Sequence, residues 1–172
     1  MRTQAIILKK IPIREYDALV ICYIKDSGKQ IYQAKGILQP TSKQAGHLDI
    51  LNLVDFSLVH KNSHPIITSA YCLKAFPHLK SSLSAMAAAF FLLECFDKLV
   101  FEGESDPKLW DFLLTRLEIY NGQSLLAIDW PKLIAETRQE ILKTLGYDPS
   151  VPIEYVANAQ FKSSQFARKV LE

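Results

Sequence analysis

The sequence predicts a mixed fold with its β and α parts segregated: a small five-stranded barrel first, then an α-helical domain. Three observations predict it. Short apolar, β-branched runs separated by turn signals fill residues 3–75. From about residue 81 the apolar positions recur at helical spacing instead. The change of period falls within residues 76–81, so residues 1–78 read as one domain and residues 79–172 as another.

The elements follow in order. Thr3–Ile11 is apolar and β-branched, and Ala18–Lys25 is a continuous apolar run, as expected of a strand buried on both faces. Asp26-Ser27-Gly28 is a turn, and Lys29–Lys35 alternates until Gly36 ends it. Leu38–Gly46 is a polar loop carrying Pro and Gly. His47–His60 reads as one long extended stretch, with Leu51, Leu53, Phe56 and Leu58 for the core. Lys61-Asn62-Ser63 is a turn, and Pro65–Ala75 is the fifth strand. Five short strands joined by tight turns match the OB-fold barrel.

The helices carry their own start and stop signals. Ser81 or Ser82 caps a helix running to about Phe101, with Met86, Phe90, Leu93, Phe96 and Val100 at helical spacing. Asp106-Pro107 opens a second that runs to Gly122. Asp129-Trp130-Pro131 opens a third that ends at Gly146. Ala159–Leu171 forms a short final helix.

Charge is unevenly divided. Residues 1–80 hold 11 Lys+Arg against 5 Asp+Glu, while residues 81–172 hold 9 against 13. A basic first half attracts phosphate, and an acidic second half does not line the same groove. The three cysteines, Cys22, Cys72 and Cys95, are odd in number and set among apolar neighbours. That pattern suits reduced, buried thiols in a cytoplasmic protein. The apolar run near the N-terminus is too short for a signal-peptide core. The longest uncharged stretch, Ser81–Leu93, has 13 residues and is too short to span a bilayer. No membrane association is expected.

Catalytic chemistry has no foothold. No phosphate-cradling Gly-rich loop, GxSxG or HExxH pattern occurs. His60 and His64 flank a turn without further ligands at suitable spacing, so no metal is expected. The cysteines lack a cationic activator. The carboxylate pairs Glu94/Asp97 and Glu136/Glu140 read as solvated helix faces. The protein is therefore expected to be no enzyme and to need no cofactor.

The basic residues of the barrel half are the candidate site. Lys9, Lys10 and Arg14 lie at the end of the first strand and in the loop after it, Lys29 and Lys35 flank the third strand, and Lys43 sits in the long loop. OB-folds bind oligonucleotides across strands two and three with help from their loops. Cations there track the backbone, and aromatics such as Tyr16, Tyr23 or Tyr32 can stack bases. For any one of these tyrosines, a place in the core is the better expectation.

The run AIILKKIPIREYDALVICYIKDSGKQIYQAKGI resembles the N-terminal domain of RecO recombination-mediator proteins. The shared pattern is an apolar strand (Ala5–Lys10), a basic loop with an acid-aromatic-Asp tail (Ile11–Asp17), a buried strand (Leu19–Lys25), a turn ending in Gly-Lys (Ser27–Lys29) and a strand ending Ala-Lys-Gly (Ala34–Gly36). LDILNLVDFSLV, KAFPHLKSSL, LLECFDKLVFEGESDPKLWDFLL and ILKTLGYDP also fit, so the resemblance extends to about residue 150. It implies binding of single- and double-stranded DNA, strand annealing and recombinase loading in recombinational repair. Lys9, Lys10, Arg14 and Lys35 match the family's basic loop and Ala-Lys-Gly strand. The family also implies contacts with a single-strand-binding protein tail and a RecR-like protein. Arg116, Lys132, Arg138 and Lys143 are the cations expected to meet such a partner. Many members carry a four-cysteine zinc module after the Leu-Gly-Tyr segment, whereas no cysteine follows Cys95. A protein-interaction adaptor without nucleic-acid affinity is the alternative, and RNA is a further conceivable ligand.

Overall fold

The computed structural model describes residues 2–60, 64–122 and 128–171. Two compact units divide the chain, one of Met1–Ala75 with Glu102–Pro107, the other of Phe76–Phe101 with Lys108–Glu172.

The first unit is an OB-type barrel. Its strands are β1 (Arg2–Pro12), β2 (Ala18–Ile24), β3 (Gly28–Ala34), β4 (Leu53–Val59) and β5 (Ile66–Lys74). They close in the order β1-β2-β3-β5-β4. β1 does the closing, because it pairs antiparallel with both β2 and β4. Alternation fills the interior with Ala5, Ile7, Val20, Cys22, Ile24, Tyr32, Val54 and Phe56, all buried. Tyr32 meets Phe56 edge to face inside it, at 5.6 Å between ring centroids.

A register shift between Ile7 and Lys9 marks a bulge in β1. Ile7 stands opposite the buried Cys22, but Lys9 stands opposite Ile21 and Lys10 opposite Val20. The extra residue therefore reverses which side of the strand each later side chain takes.

The stretch expected to be extended from His47 does not pair until Leu53. Side-chain and backbone hydrogen bonds fold its first part instead. Asn52 donates through Nδ2 to the carbonyls of Gly46 and His47, both at 3.0 Å. Leu51 takes a positive φ of 74° and donates to the Ile7 carbonyl at 2.9 Å. Leu48 and Leu51 are thereby buried. The turn expected at Lys61-Asn62-Ser63 lies outside the described residues.

Residues Glu102–Pro107 complete the barrel unit. Glu102 bridges to Lys29 in parallel, and Gly103 N–H donates to the Lys29 carbonyl at 2.9 Å. The Tyr23 hydroxyl accepts from Asp106 N–H at 3.3 Å, and its ring is fully buried. Gly28 makes this approach possible. Its φ is +70°, and a Cβ there would stand 1.9 Å from the Glu104 carbonyl oxygen.

The second unit is helical: α1 (Pro77–Ser81), α2 (Leu83–Leu99), α3 (Pro107–Tyr120), α4 (Trp130–Thr144), α5 (Ile153–Ala157) and α6 (Lys162–Leu171). Ser82 caps α2, its Oγ accepting from Ala85 N–H at 3.3 Å, and Asp129 caps α4 through Lys132 N–H at 3.1 Å. Burial almost all round α2, including Ala85, Ala88, Phe91, Leu92 and Phe96, makes it the central helix. The sequence did not foresee α1 or α5, each only five residues long. α3 and α4 are tied by a buried hydroxyl pair, Tyr120 and Thr137, at 2.7 Å. Burial pushes the Tyr120 hydroxyl up to about 12, so it stays protonated. Glu94 of α2 accepts from the free N–H groups of Lys162 and Ser163, at 3.0 and 2.7 Å, and so caps α6. Burial alone would raise the Glu94 carboxyl, but these bonds and the Lys98 ammonium beside it hold it below the usual range.

Gly28→Val should destabilise the barrel by about 3 kcal/mol, since it combines positive-φ strain with a backbone clash. Urea denaturation measures this. A midpoint equal to that of the parent would mean that residues 102–107 do not lie against the turn.

Candidate nucleic-acid interface

The basic residues of the barrel are sorted by its two ends. At one end lies the β1–β2 connection, residues 13–17, organised by Asp17. Ile13 N–H donates to the Asp17 carbonyl at 3.0 Å. Asp17 Oδ1 accepts from Gly36 N–H at 2.8 Å, across in the loop that follows β3. Its Oδ2 accepts from Gln33 Nε2 at 3.5 Å and stands 3.9 Å from the Arg14 guanidinium. One carboxylate thus fixes Arg14 beside the Lys35–Gly36 corner. Leu38 N–H to the Tyr16 carbonyl, at 3.0 Å, repeats the link.

The loop of residues 35–52 carries the rest. Lys35 and Lys43 are exposed, and Asp49 reaches Lys10 at 3.6 Å. Gln33 N–H donates to the Pro65 carbonyl at 2.9 Å, which brings the β4–β5 connection to the same end. The structure therefore brings Lys10, Arg14, Lys35 and Lys43 to the loop-bearing end where OB-folds hold their ligands. Arg14 is well exposed, with 72% of its side-chain surface open. Asp17 and Asp49 position these cations without filling their donor capacity, because guanidinium and ammonium groups carry several N–H bonds each.

Lys9 and Lys29 stand apart from that group. The bulge puts Lys9 on the side of Ile21, opposite in sense to Lys10. Lys29 is six residues from Lys35 along β3, about 20 Å at the rise of a strand, and its backbone is bonded to Glu102 and Gly103. Acidic neighbours, Glu102 and Glu104, share that end. Of the three tyrosines considered for stacking, Tyr23 and Tyr32 are buried and Tyr16 is exposed.

The helical cations are also divided. Arg116 is buried, ion-paired with Glu140 and lying over the Phe112 ring at 5.6 Å. Its apolar surroundings and its committed partner keep it off the open surface. Lys132 and Lys143 are exposed on α4 and, eleven residues apart, share one helical face. Arg138 turns away from them. It lines a cleft among α4, α5 and α6 with Arg168, Ile134, Ala167 and Leu171, and the acidic Glu154 of α5 lines the same cleft. Arg168 carried no motif in the sequence and is found only through this cleft.

The thiols of Cys22 and Cys95 are buried, and burial pushes both well up, so they remain protonated. Among the described residues, no cluster of three or more His, Cys, Asp or Glu is placed to hold a metal ion, and no helix is long and apolar enough to cross a membrane. Two exposed aromatics, Tyr71 and Tyr155, escaped the sequence reading. Tyr71, in the middle of β5, is 66% exposed and stacks on His47. Period-two alternation alone does not separate it from a core position.

The barrel coincides with a known domain. The family "Recombination protein O N terminal" matches residues 1–76. The chain is of the RecO type. Several curated proteins named DNA repair protein RecO extend the likeness into the helices. The one from Dehalococcoides mccartyi is 29% identical over 152 residues, 87% of this chain and 58% of that protein. The one from Roseiflexus sp. is 30% identical over 151 residues, 87% of this chain and 51% of that protein. The one from Desulforamulus reducens is 28% identical over 165 residues, 95% of this chain and 62% of that protein. This RecO-type chain thus spans about half to three-fifths of the length of these relatives.

Removing the Asp17 carboxylate leaves the Gly36 N–H unsatisfied and Arg14 untethered. Asp17→Ala should cost about 1–2 kcal/mol of stability, while Asp17→Asn, which keeps the acceptor, should cost less. Thermal denaturation of the two variants compares them, and equal losses would show that the oxygen bonded to Gly36 is not what matters.

Proposed function

We propose that this RecO-type chain serves recombinational DNA repair as a binding protein. It holds single- and double-stranded DNA, promotes annealing of complementary strands and assists recombinase loading, without covalent chemistry. The observation that carries the reading is the gathering of Lys10, Arg14, Lys35 and Lys43 at the loop-bearing end of an OB barrel. Such cations neutralise phosphates and release counterions. Neutralised strands repel each other less, which is what annealing requires. Backbone contacts position DNA but carry no sequence information, so little base preference is expected. Lys9 and Lys29 extend the cationic surface along the strands, away from its centre.

For protein partners, the cleft holding Arg138 and Arg168 supports contact with the acidic tail of a single-strand-binding protein, because its two guanidinium groups outnumber the one carboxylate, Glu154, that also lines it. Lys132 and Lys143 add charge on the outer face of α4, and Arg116 acts only by bracing α3 against α4. A RecR-like protein is the other expected partner.

Fluorescence anisotropy with a labelled single strand, across a salt series, tests the DNA reading. Affinity should fall linearly on a log–log plot, and the slope should flatten by roughly 0.7 for each phosphate contact removed. The combined change Arg14→Glu, Lys35→Glu and Lys43→Glu should weaken binding at least about tenfold. No binding by the parent at low salt would leave the adaptor reading in its place. A labelled acidic peptide in the same format, against Arg138→Glu, checks the cleft: unchanged affinity would remove it.

A further inference from the structure

We propose that Tyr71, backed by His47, is a stacking platform for an unpaired base of single-stranded DNA, on the outer face of β4 and β5. The inference rests on the DNA reading above and adds a contact made by a ring instead of a charge.

The geometry is that of a prepared surface. Tyr71 and His47 stack with ring centroids 5.7 Å apart and planes 28° from parallel. The imidazole thus lies offset against one side of the tyrosine, and 66% of the residue remains open. His47 is itself held in place, its Nδ1 accepting from Cys72 N–H at 3.2 Å. The loop that carries His47 is pinned to the same strand by Gln44 Nε2, which donates to the Thr68 carbonyl at 3.0 Å. Asn52 holds the loop from behind through the Gly46 and His47 carbonyls. A ring fixed in this way has little freedom left to lose when a base lies on it.

The surroundings favour a nucleotide over an apolar protein surface. Asp55 stands directly across from Tyr71, and Ser57 pairs with Ser69 one step further on, while Leu73 and the half-buried Leu53 are the apolar neighbours on the other side. An apolar partner wants a contiguous apolar patch, and here polar side chains border the ring on one side. The Asp55 carboxylate, which would repel a phosphate, faces the exposed Arg2 guanidinium at 3.9 Å. Lys43 precedes Gln44 in the pinned loop, so the platform continues from the basic cluster already described. A strand whose phosphates follow that cluster can lay a base on Tyr71. Duplex DNA cannot, because its bases are already stacked on one another.

The test uses the whole chain and labelled oligothymidylate and duplex DNA in anisotropy titrations at fixed moderate salt. Tyr71→Ala should weaken single-strand binding about 5- to 100-fold, the range for loss of one stacked base. Tyr71→Phe should restore it, and duplex affinity and the salt slope should not change. Because the side chain is mostly open, thermal melting of both variants should match the parent. Single-strand affinity unchanged in Tyr71→Ala would overturn the platform while leaving charge-driven binding in place. Equal losses on single strand and duplex, or no rescue by Phe, would overturn it as well. A parent protein that binds neither DNA would instead overturn the functional reading on which the platform stands.

Discussion

Closure of the barrel by β1 is the constraint on which the first unit depends. This strand hydrogen-bonds along both edges, to β2 and to β4, so neither edge is left open. Its register sets what faces inward on both neighbours. The bulge after Ile7 then separates the part of the strand that sends Ala5 and Ile7 into the interior from the part that carries Lys9 and Lys10. Without the extra residue, each side chain from Lys9 onward would take the opposite face, and Lys10 would not stand where Asp49 reaches it. A single inserted residue decides where two adjacent charges go.

The candidate interface shows how few acids are needed to organise a basic surface. Asp17 and Asp49 each reach a cation, yet their main effect is to tie loops together. Exposed ion pairs of this kind contribute little to stability. Backbone hydrogen bonds do the holding, from Gly36, Leu38, Leu51 and Asn52, and the loops keep their shape around the charges. Arg14, Lys35 and Lys43 remain open to phosphate, whereas Lys10, with 21% of its side chain exposed, is largely covered beside Asp49. In the helical unit the balance is reversed, since Arg116 is buried, ion-paired and covered by a ring.

Much of this was legible in the sequence, because periodicity reports directly on burial. Five strands, the cap residues Ser82 and Asp129, and the start at Asp106-Pro107 could all be read from residue order. What could not be read depends on contacts distant in sequence. Nothing local marks Leu51 for a positive φ, which follows from its bond to Ile7. Lys29 and Lys35 flank the same strand, yet the length of that strand puts them at opposite ends. Tyr71 looks like any strand aromatic until the barrel is closed and its face is seen to be outward. The helical spacing of Arg116 does not reveal that Glu140 waits across from it.

The segment Glu102–Pro107 gives the barrel a history as well as a shape. It reaches the turn at Gly28 only after 26 residues belonging to the other unit have intervened. The five strands are complete at Lys74, but the bond between the Tyr23 hydroxyl and the Asp106 backbone waits for a segment made later. The order of synthesis therefore leaves an interval in which the strands are present and the segment that bonds Tyr23 and Lys29 is not. The unit that folds together and the unit that is contiguous in sequence are not the same piece of chain.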